Sequence, residues 1–205
     1  TGASKVASAP PSNAREAAAM RTATIAELDA VVTGTTAPTR FLALRNAHPD
    51  VPALHSMRGD APGSWNVWTL ADYADKVARA AAGLAANGVS TGDRVLLMMR
   101  NRPDFHWYDL AAQFIRATPV SIYNSSSPEE IQYLAHHAEA EVAIVEDAGF
   151  LERLLKVRGE LPSLQRIFVI DPPVEGCPEG VQPASELLAH EPADLDALGA
   201  VFFND

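Results

Sequence analysis

The pattern of apolar positions changes near residue 90. Before it, Leu70, Tyr73, Ala74, Val77, Ala81, Leu84 and Ala85 recur at helical spacing. Thr69 stands as an N-cap with Asp72 placed to complete a weak capping box, and Gly88 stands as a C-cap, so a helix is predicted over Leu70 to Asn87. Upstream, the first element the pattern predicts is a helix from about Pro38 to His48, with Phe41, Leu42 and Leu44 toward the core. Two strand-like runs follow, Ala53 to Met57 and Ser64 to Trp68, separated by the turn-rich Arg58 to Gly63, and they read as a hairpin. After residue 90, short apolar blocks alternate with helical stretches. The blocks Arg94 to Met99, Pro119 to Tyr123, Val142 to Glu146 and Arg166 to Ile170 read as strands. Between them lie helices from Pro103 to about Ala117, from Ser127-Pro-Glu-Glu130 to about Ala138, and from Ala148 to Arg158. Parallel strands need crossovers of this kind. The fold class is therefore α/β: a parallel, doubly wound sheet with flanking helices, preceded by a small hairpin and helix. The Pro- and Gly-rich stretch from Pro172 to Pro183 reads as a loop, Ser185 to His190 as a short helix, and Ala200 to Phe203 as a final strand.

Composition narrows the field. Of the 205 residues, 47% are hydrophobic and 20% charged, as in an ordinary globular fold. The formal net charge of −10 argues against a surface that tracks a nucleic acid. Cys177 is the single cysteine, so no intrachain disulfide forms, which suits a cytoplasmic protein. No apolar run is long enough to span a membrane, which leaves peripheral association as the only membrane role considered. Residues 1–20 are small, polar and Pro-containing and read as a flexible tail, with a short helix over Ala14 to Met20 as the rival. Residues 21–205 form the folded part.

Candidate chemistry is sparse. The strand ends carry Arg100-Asn101-Arg102, Asn124 to Ser127, Asp147 and Asp171, where an open parallel sheet holds its ligands. The two arginines suit a phosphate or carboxylate, or else belong to a solvated loop or pair with Asp104 or glutamates on the surface. The serines suit an anion at a helix start, or else Ser127 is simply a cap. No G-x-G-x-x-G follows the first sheet strand and no G-x-x-x-x-G-K-[ST] occurs. Thr33-Gly34-Thr35-Thr36 imitates a phosphate loop but follows no buried strand. Adjacent His136 and His137 point about 100° apart on a helix and cannot share a metal, and one is expected half-buried. Phe105, Trp107, Tyr108 and Phe114 share one predicted helix, either packed in the core or lining an acyl channel.

The run from Gly88 to Asp147 resembles the first subdomain of adenylate-forming enzymes, and within them bacterial long-chain fatty acid–CoA ligases. The likeness rests on the turn Gly92-Asp93-Arg94, the helix start Asn101-Arg-Pro-Asp-Phe105 and the segment Tyr123-Asn-Ser-Ser-Ser-Pro-Glu-Glu-Ile131. Thr69-Leu70 with Tyr73, and Pro49 to Leu54, fit the same pattern, and the likeness extends over about Pro38 to Leu188. It implies activation of a fatty acid by ATP and Mg to an acyl-adenylate, then transfer to coenzyme A. The family's phosphate loop with its lysine, the Tyr-x-x-Thr-Glu segment, the ribose-holding aspartate and the lid lysine have no counterpart in this sequence. The expectation is a truncated ligase piece, inactive alone, with no catalytic residue, no metal site and no cofactor bound by itself. Asn101, Tyr123, Asn124 and Ser126 are expected to form part of a substrate-channel wall. A second chain supplying the rest, or a homodimer, is the expected partner. Two other readings stay open: a non-enzymatic remnant that binds a partner or acyl ligand, and a small nucleotide-binding domain that mimics the family.

Overall fold

The computed structural model describes residues 24–32, 34–57 and 63–203. The chain divides into two compact units, one ending at Thr35 and one beginning at Thr36. The predicted tail lies outside the described residues.

In the first unit, helix α1 (Ile25–Val32) was not anticipated. Its signal is the Thr24-x-x-Glu27 spacing: the Glu27 carboxylate accepts the Thr24 N–H at 2.9 Å and the Thr24 hydroxyl accepts the Glu27 N–H at 3.3 Å.

The second unit opens with α2 (Ala37–Ala47), started by a reciprocal Thr36–Thr39 capping box with Pro38 tolerated in the first turn. Thr36, part of the phosphate-loop look-alike, thus serves as a cap. Leu42 is buried, but Leu44 is exposed, contrary to expectation. Two residues apart on a helix means about 200° of rotation, so both cannot face one core. Strands β1 (Pro52–Met57) and β2 (Trp65–Thr69) pair antiparallel as the predicted hairpin. Helix α3 (Leu70–Ala86) has its Thr69–Asp72 capping box, with the Thr69 N–H donating to Asp72 at 2.9 Å.

There follow β3 (Arg94–Met98), α4 (Pro103–Phe114), β4 (Thr118–Ser121), α5 (Pro128–His137), β5 (Val142–Val145), α6 (Ala148–Val157) and β6 (Arg166–Val169), as the alternation predicts. Strand β7 (Val181–Pro183) extends the sheet within the stretch expected to be a loop. It pairs parallel with β6, Ile167 beside Val181 and Val169 beside Pro183. Proline is tolerated because an edge strand needs donors on one side only. Helices α7 (Ser185–Leu188) and α8 (Leu195–Ala200) follow. The expected final strand at Ala200 to Phe203 is instead the end of α8 and a 3-10 turn. Asp194 caps α8 by accepting the Ala197 N–H at 3.0 Å. A four-residue apolar run does not by itself distinguish strand from helix.

The five-stranded parallel sheet has the order β4-β3-β5-β6-β7. Its pleat sends alternate residues to two cores. Val95, Leu97, Val142, Ile144 and Phe168 face α3 and α4, while Leu96, Met98, Ala143, Val145 and Ile167 face α5 and α6. Each large apolar side chain fully buried this way stabilises the fold by roughly 1.5–3 kcal/mol. Gly83 lies mid-helix because a Cβ there would overlap the Leu187 backbone of α7. That close approach outweighs the ~1 kcal/mol helix penalty of glycine. The aromatics of α4 divide: Trp107, Tyr108 and Phe114 are buried in the core, and Phe105 is half-buried. His136 and His137 are both exposed, not one half-buried as expected. The buried stripe of α5 is carried by Ile131 and Ala135, which leaves the histidines off it.

Candidate functional site

The chain passes from β3 to β4 on one side and then returns to place β5 on the other, so the topological switch lies between β3 and β5. Such a crevice is where open parallel sheets bind ligands. Here the protein's own charges fill it. The Arg100 N–H donates to Glu146 Oε2 at 2.6 Å, and Arg100 Nη1 reaches Glu146 Oε1 at 2.7 Å and Asp147 Oδ2 at 2.8 Å. Arg102 donates through Nε to Asp104 at 2.7 Å and through Nη1 to Asp171 at 2.6 Å, and lies 3.6 Å from Glu146. Burial opposes ionisation of Asp147. The Arg100 hydrogen bond and the backbone N–H groups of Phe150 and Gly149 outweigh it, so the carboxyl is held below its ordinary range. The pairing reading of Arg100 and Arg102 is thus the one the structure shows.

The serine segment is likewise satisfied internally. The Ser127 N–H donates to Glu130 at 2.8 Å and the Ser127 hydroxyl accepts the Glu130 N–H at 3.3 Å. Glu129 and Glu130 occupy the first turn, so α5 begins with two carboxylates of its own.

An open cavity of about 460 Å³ lies instead between the carboxyl ends of β3 and β4. Its apolar wall comes from Met99, Phe105 and Ile122. Asn101, Asn124 and His106 supply polar groups, and Tyr123, Ser121 and Arg100 complete the rim. A cavity of about 300 Å³ adjoins it and shares Asn101 and His106, with the hairpin residues Leu54 and Trp65 on its far side. Tyr73 of α3 donates to the His106 carbonyl at 3.1 Å and holds this turn of α4 in place. Burial, with Asp109 adding to it, pushes the Tyr73 hydroxyl well above its ordinary value, so it stays a neutral donor.

Three of the four expected wall residues, Asn101, Tyr123 and Asn124, therefore meet at one cavity, and Tyr123 is strongly exposed there. Ser126 does not line it. Ser126 is buried beneath the loop, and its N–H donates to the Tyr123 carbonyl at 3.1 Å. The loop is tied down by Arg153 of α6, whose Nη1 donates to the carbonyls of Asn124 at 2.9 Å and Ser126 at 2.8 Å. Arg153 and Arg100 both lie over the Phe150 ring, 4.6 and 5.0 Å from its centroid. Sequence reading missed Arg153, which has no local signal, and His106. Glu146 did carry one, as the charged end of an otherwise apolar strand run.

The residues present do not fit a nucleoside triphosphate with its metal. The crevice sets two guanidiniums against four carboxylates, and the serine loop is closed by its own cap. Among the described residues, no group of His, Cys, Asp and Glu is placed to hold a metal ion.

Residues 43–203 match the family model for AMP-binding enzymes. The chain belongs to the AMP-binding enzyme family. A protein of Mycobacterium tuberculosis described as uncharacterized is 37% identical over 123 residues, 60% of this chain and 65% of that protein. The long-chain-fatty-acid–CoA ligase FadD15 of Mycobacterium bovis is 31% identical over 108 residues, 53% of this chain but 18% of the ligase. This AMP-binding family member thus spans less than two thirds of the length of these relatives. Its fold is that of solved adenylate-forming ligases. It matches coronafacic acid ligase from Pectobacterium brasiliense with a TM-score of 0.68 at 20% identity, over 78% of this chain and 30% of that one. It also matches the anthranilate CoA ligase AuaEII, solved with anthranoyl-AMP, with a TM-score of 0.65 at 21% identity, over 77% and 28%. Among the described residues, no helix is long and apolar enough to cross a membrane.

Proposed function

We propose that this chain serves as the first subdomain of a fatty acid–CoA ligase, a scaffold that contributes part of the acyl-site wall and does not adenylate on its own. The carrying observation is the contrast at the sheet's carboxyl edge. The β3/β5 crevice is filled by ion pairs, and the β3/β4 cavity is open and partly apolar. Asn101, Tyr123 and Asn124 form the wall, and Ser126 supports it from below. Adenylation needs cationic groups and magnesium to neutralise phosphate charge in the transition state, and these 205 residues contain no phosphate loop with its lysine. ATP, magnesium and coenzyme A would be held by a polypeptide supplying those parts.

The test is ATP–pyrophosphate exchange with a fatty acid, run on this chain alone and with a polypeptide carrying the phosphate-loop portion of a long-chain ligase. Exchange is expected only in the combination. Exchange by the chain alone would overturn the reading.

A second reading, a module that binds a partner or acyl ligand without turnover, is favoured by two observations. The outer hairpin face leaves Met57, Trp65 and Val67 about half exposed side by side, at 58%, 51% and 48%. The M. tuberculosis relative is itself short, since 123 residues make up 65% of it. Failure of the combined exchange reaction would favour this second reading.

A further inference from the structure

The outer face of α5 presents an aromatic surface beside carboxylates. The helix buries Ile131 and Ala135 against the sheet. Tyr133 lies two residues from each, about 200° around the helix, and so points directly away from the core. It is 64% exposed. The imidazole of His137, one turn on, stacks on the Tyr133 ring with centroids 5.9 Å apart and planes 6° from parallel. One face of the phenol is thereby covered and the ring is held in place. Its other face is turned toward the first turn, which carries Glu129 and Glu130. Glu130 serves the cap with Ser127. Glu129 is exposed, and its own backbone N–H and the Ser127 hydroxyl hold its carboxyl below the ordinary range, so it is charged at neutral pH.

Helix α5 contains no lysine or arginine to balance these groups, and the chain as a whole carries a formal net charge of −10. An anionic lipid surface or a nucleic acid would be repelled here. A guanidinium suits the place, because it stacks flat on an aromatic face while its N–H groups reach a neighbouring carboxylate. An exposed ion pair alone contributes little. The open ring face is therefore what distinguishes this spot from the other surface carboxylates.

We propose that the outer face of α5 docks a basic segment of a partner protein, with an arginine side chain seated on the open face of Tyr133 beside Glu129. The inference goes beyond the ligase reading and does not depend on it.

The experiment is an NMR titration of the ¹⁵N-labelled chain with two blocked peptides of equal charge, (Gly-Arg)₃ and (Gly-Lys)₃, at about pH 7.5 and about 0.15 M salt. The arginine peptide is expected to shift the amide signals of Glu129, Tyr133 and His137 and to bind about threefold more tightly than the lysine peptide. Tyr133→Ser should remove that preference. Glu129→Gln should weaken the arginine peptide about twofold, and Glu175→Gln, an exposed carboxylate between β6 and β7, should weaken it less. All three positions are exposed, so the variants should keep the wild-type spectrum elsewhere. Equal affinity for the two peptides, a Tyr133→Ser variant that binds like the wild type, equal losses in the two glutamate variants, or shifts that leave out α5 would each overturn the proposal. Signals of α5 that move on dilution of the chain without peptide would assign the face to a second copy and overturn it as well.

Discussion

The two crevices at the carboxyl edge of the sheet share strand β3 and differ in almost everything else. Between β3 and β5 the position favoured by topology is closed by Arg100, Arg102, Glu146, Asp147 and Asp171. Between β3 and β4, one strand over, the same loop leaves an open cavity walled by Met99, Phe105 and Ile122. Topology thus nominates a place for a ligand, and side-chain charge decides whether that place is available. In this molecule ion pairs fill one crevice and its neighbour is left open.

That contrast can be broken most directly at Glu146. Glu146→Ala removes the acceptor of the Arg100 backbone N–H and leaves that donor without its partner, so a loss of about 1–3 kcal/mol is expected. Asn124→Ala in the open crevice should stay within about 0.5 kcal/mol. Denaturant unfolding of both variants measures the difference, and equal losses would erase the distinction. A smaller, local effect belongs to the rim of the open side. Ser127→Ala removes the cap of α5 and should cost about 1 kcal/mol, with faster hydrogen exchange at Glu130.

Acid sharpens the comparison further. The native carboxyl of Asp147 is held below its ordinary value, so its stabilising contribution is complete above that value and is lost as pH falls through the lower native one. The Tm difference between the wild type and Arg100→Met should therefore shrink below about pH 4. A difference that persists undiminished in acid would show that Arg100 acts through packing on Phe150. The smallest effect is expected at Asp109, away from both crevices. Burial raises its carboxyl above the ordinary value, against the Gln113 hydrogen bond and nearby His106. Ionised Asp109 therefore weakens the fold at neutral pH, and the penalty disappears as pH falls through the raised native value. Asp109→Asn should raise Tm slightly near neutrality and leave it unchanged in acid.

The elements were largely legible because their causes are local. Thr69 with Asp72 and Ser127 with Glu130 announce helix starts within four residues, and the unbroken apolar runs around Leu96 and Ile144 announce strands covered on both faces. The misses fall where local signals are short or masked. Prolines hid β7, and a brief apolar run left the α8 region ambiguous. Asn101, Tyr123 and Asn124, expected at a channel wall from the family resemblance, do line one open cavity. Ser126 shares that expectation, but its side of the turn is buried.

What this chain's residues determine by themselves is the alternation of strand and helix, the caps that punctuate it, and membership of the AMP-binding family. These depend on spacings of two to four residues and on ordered motifs. What only the tertiary structure decides is which charges cancel. Arg100 and Glu146 lie 46 residues apart, Arg102 and Asp171 69, and Arg153 and Ser126 27. No periodicity links such pairs. They meet because a parallel sheet brings all its carboxyl ends to one edge, and that meeting closes one crevice and leaves its neighbour open.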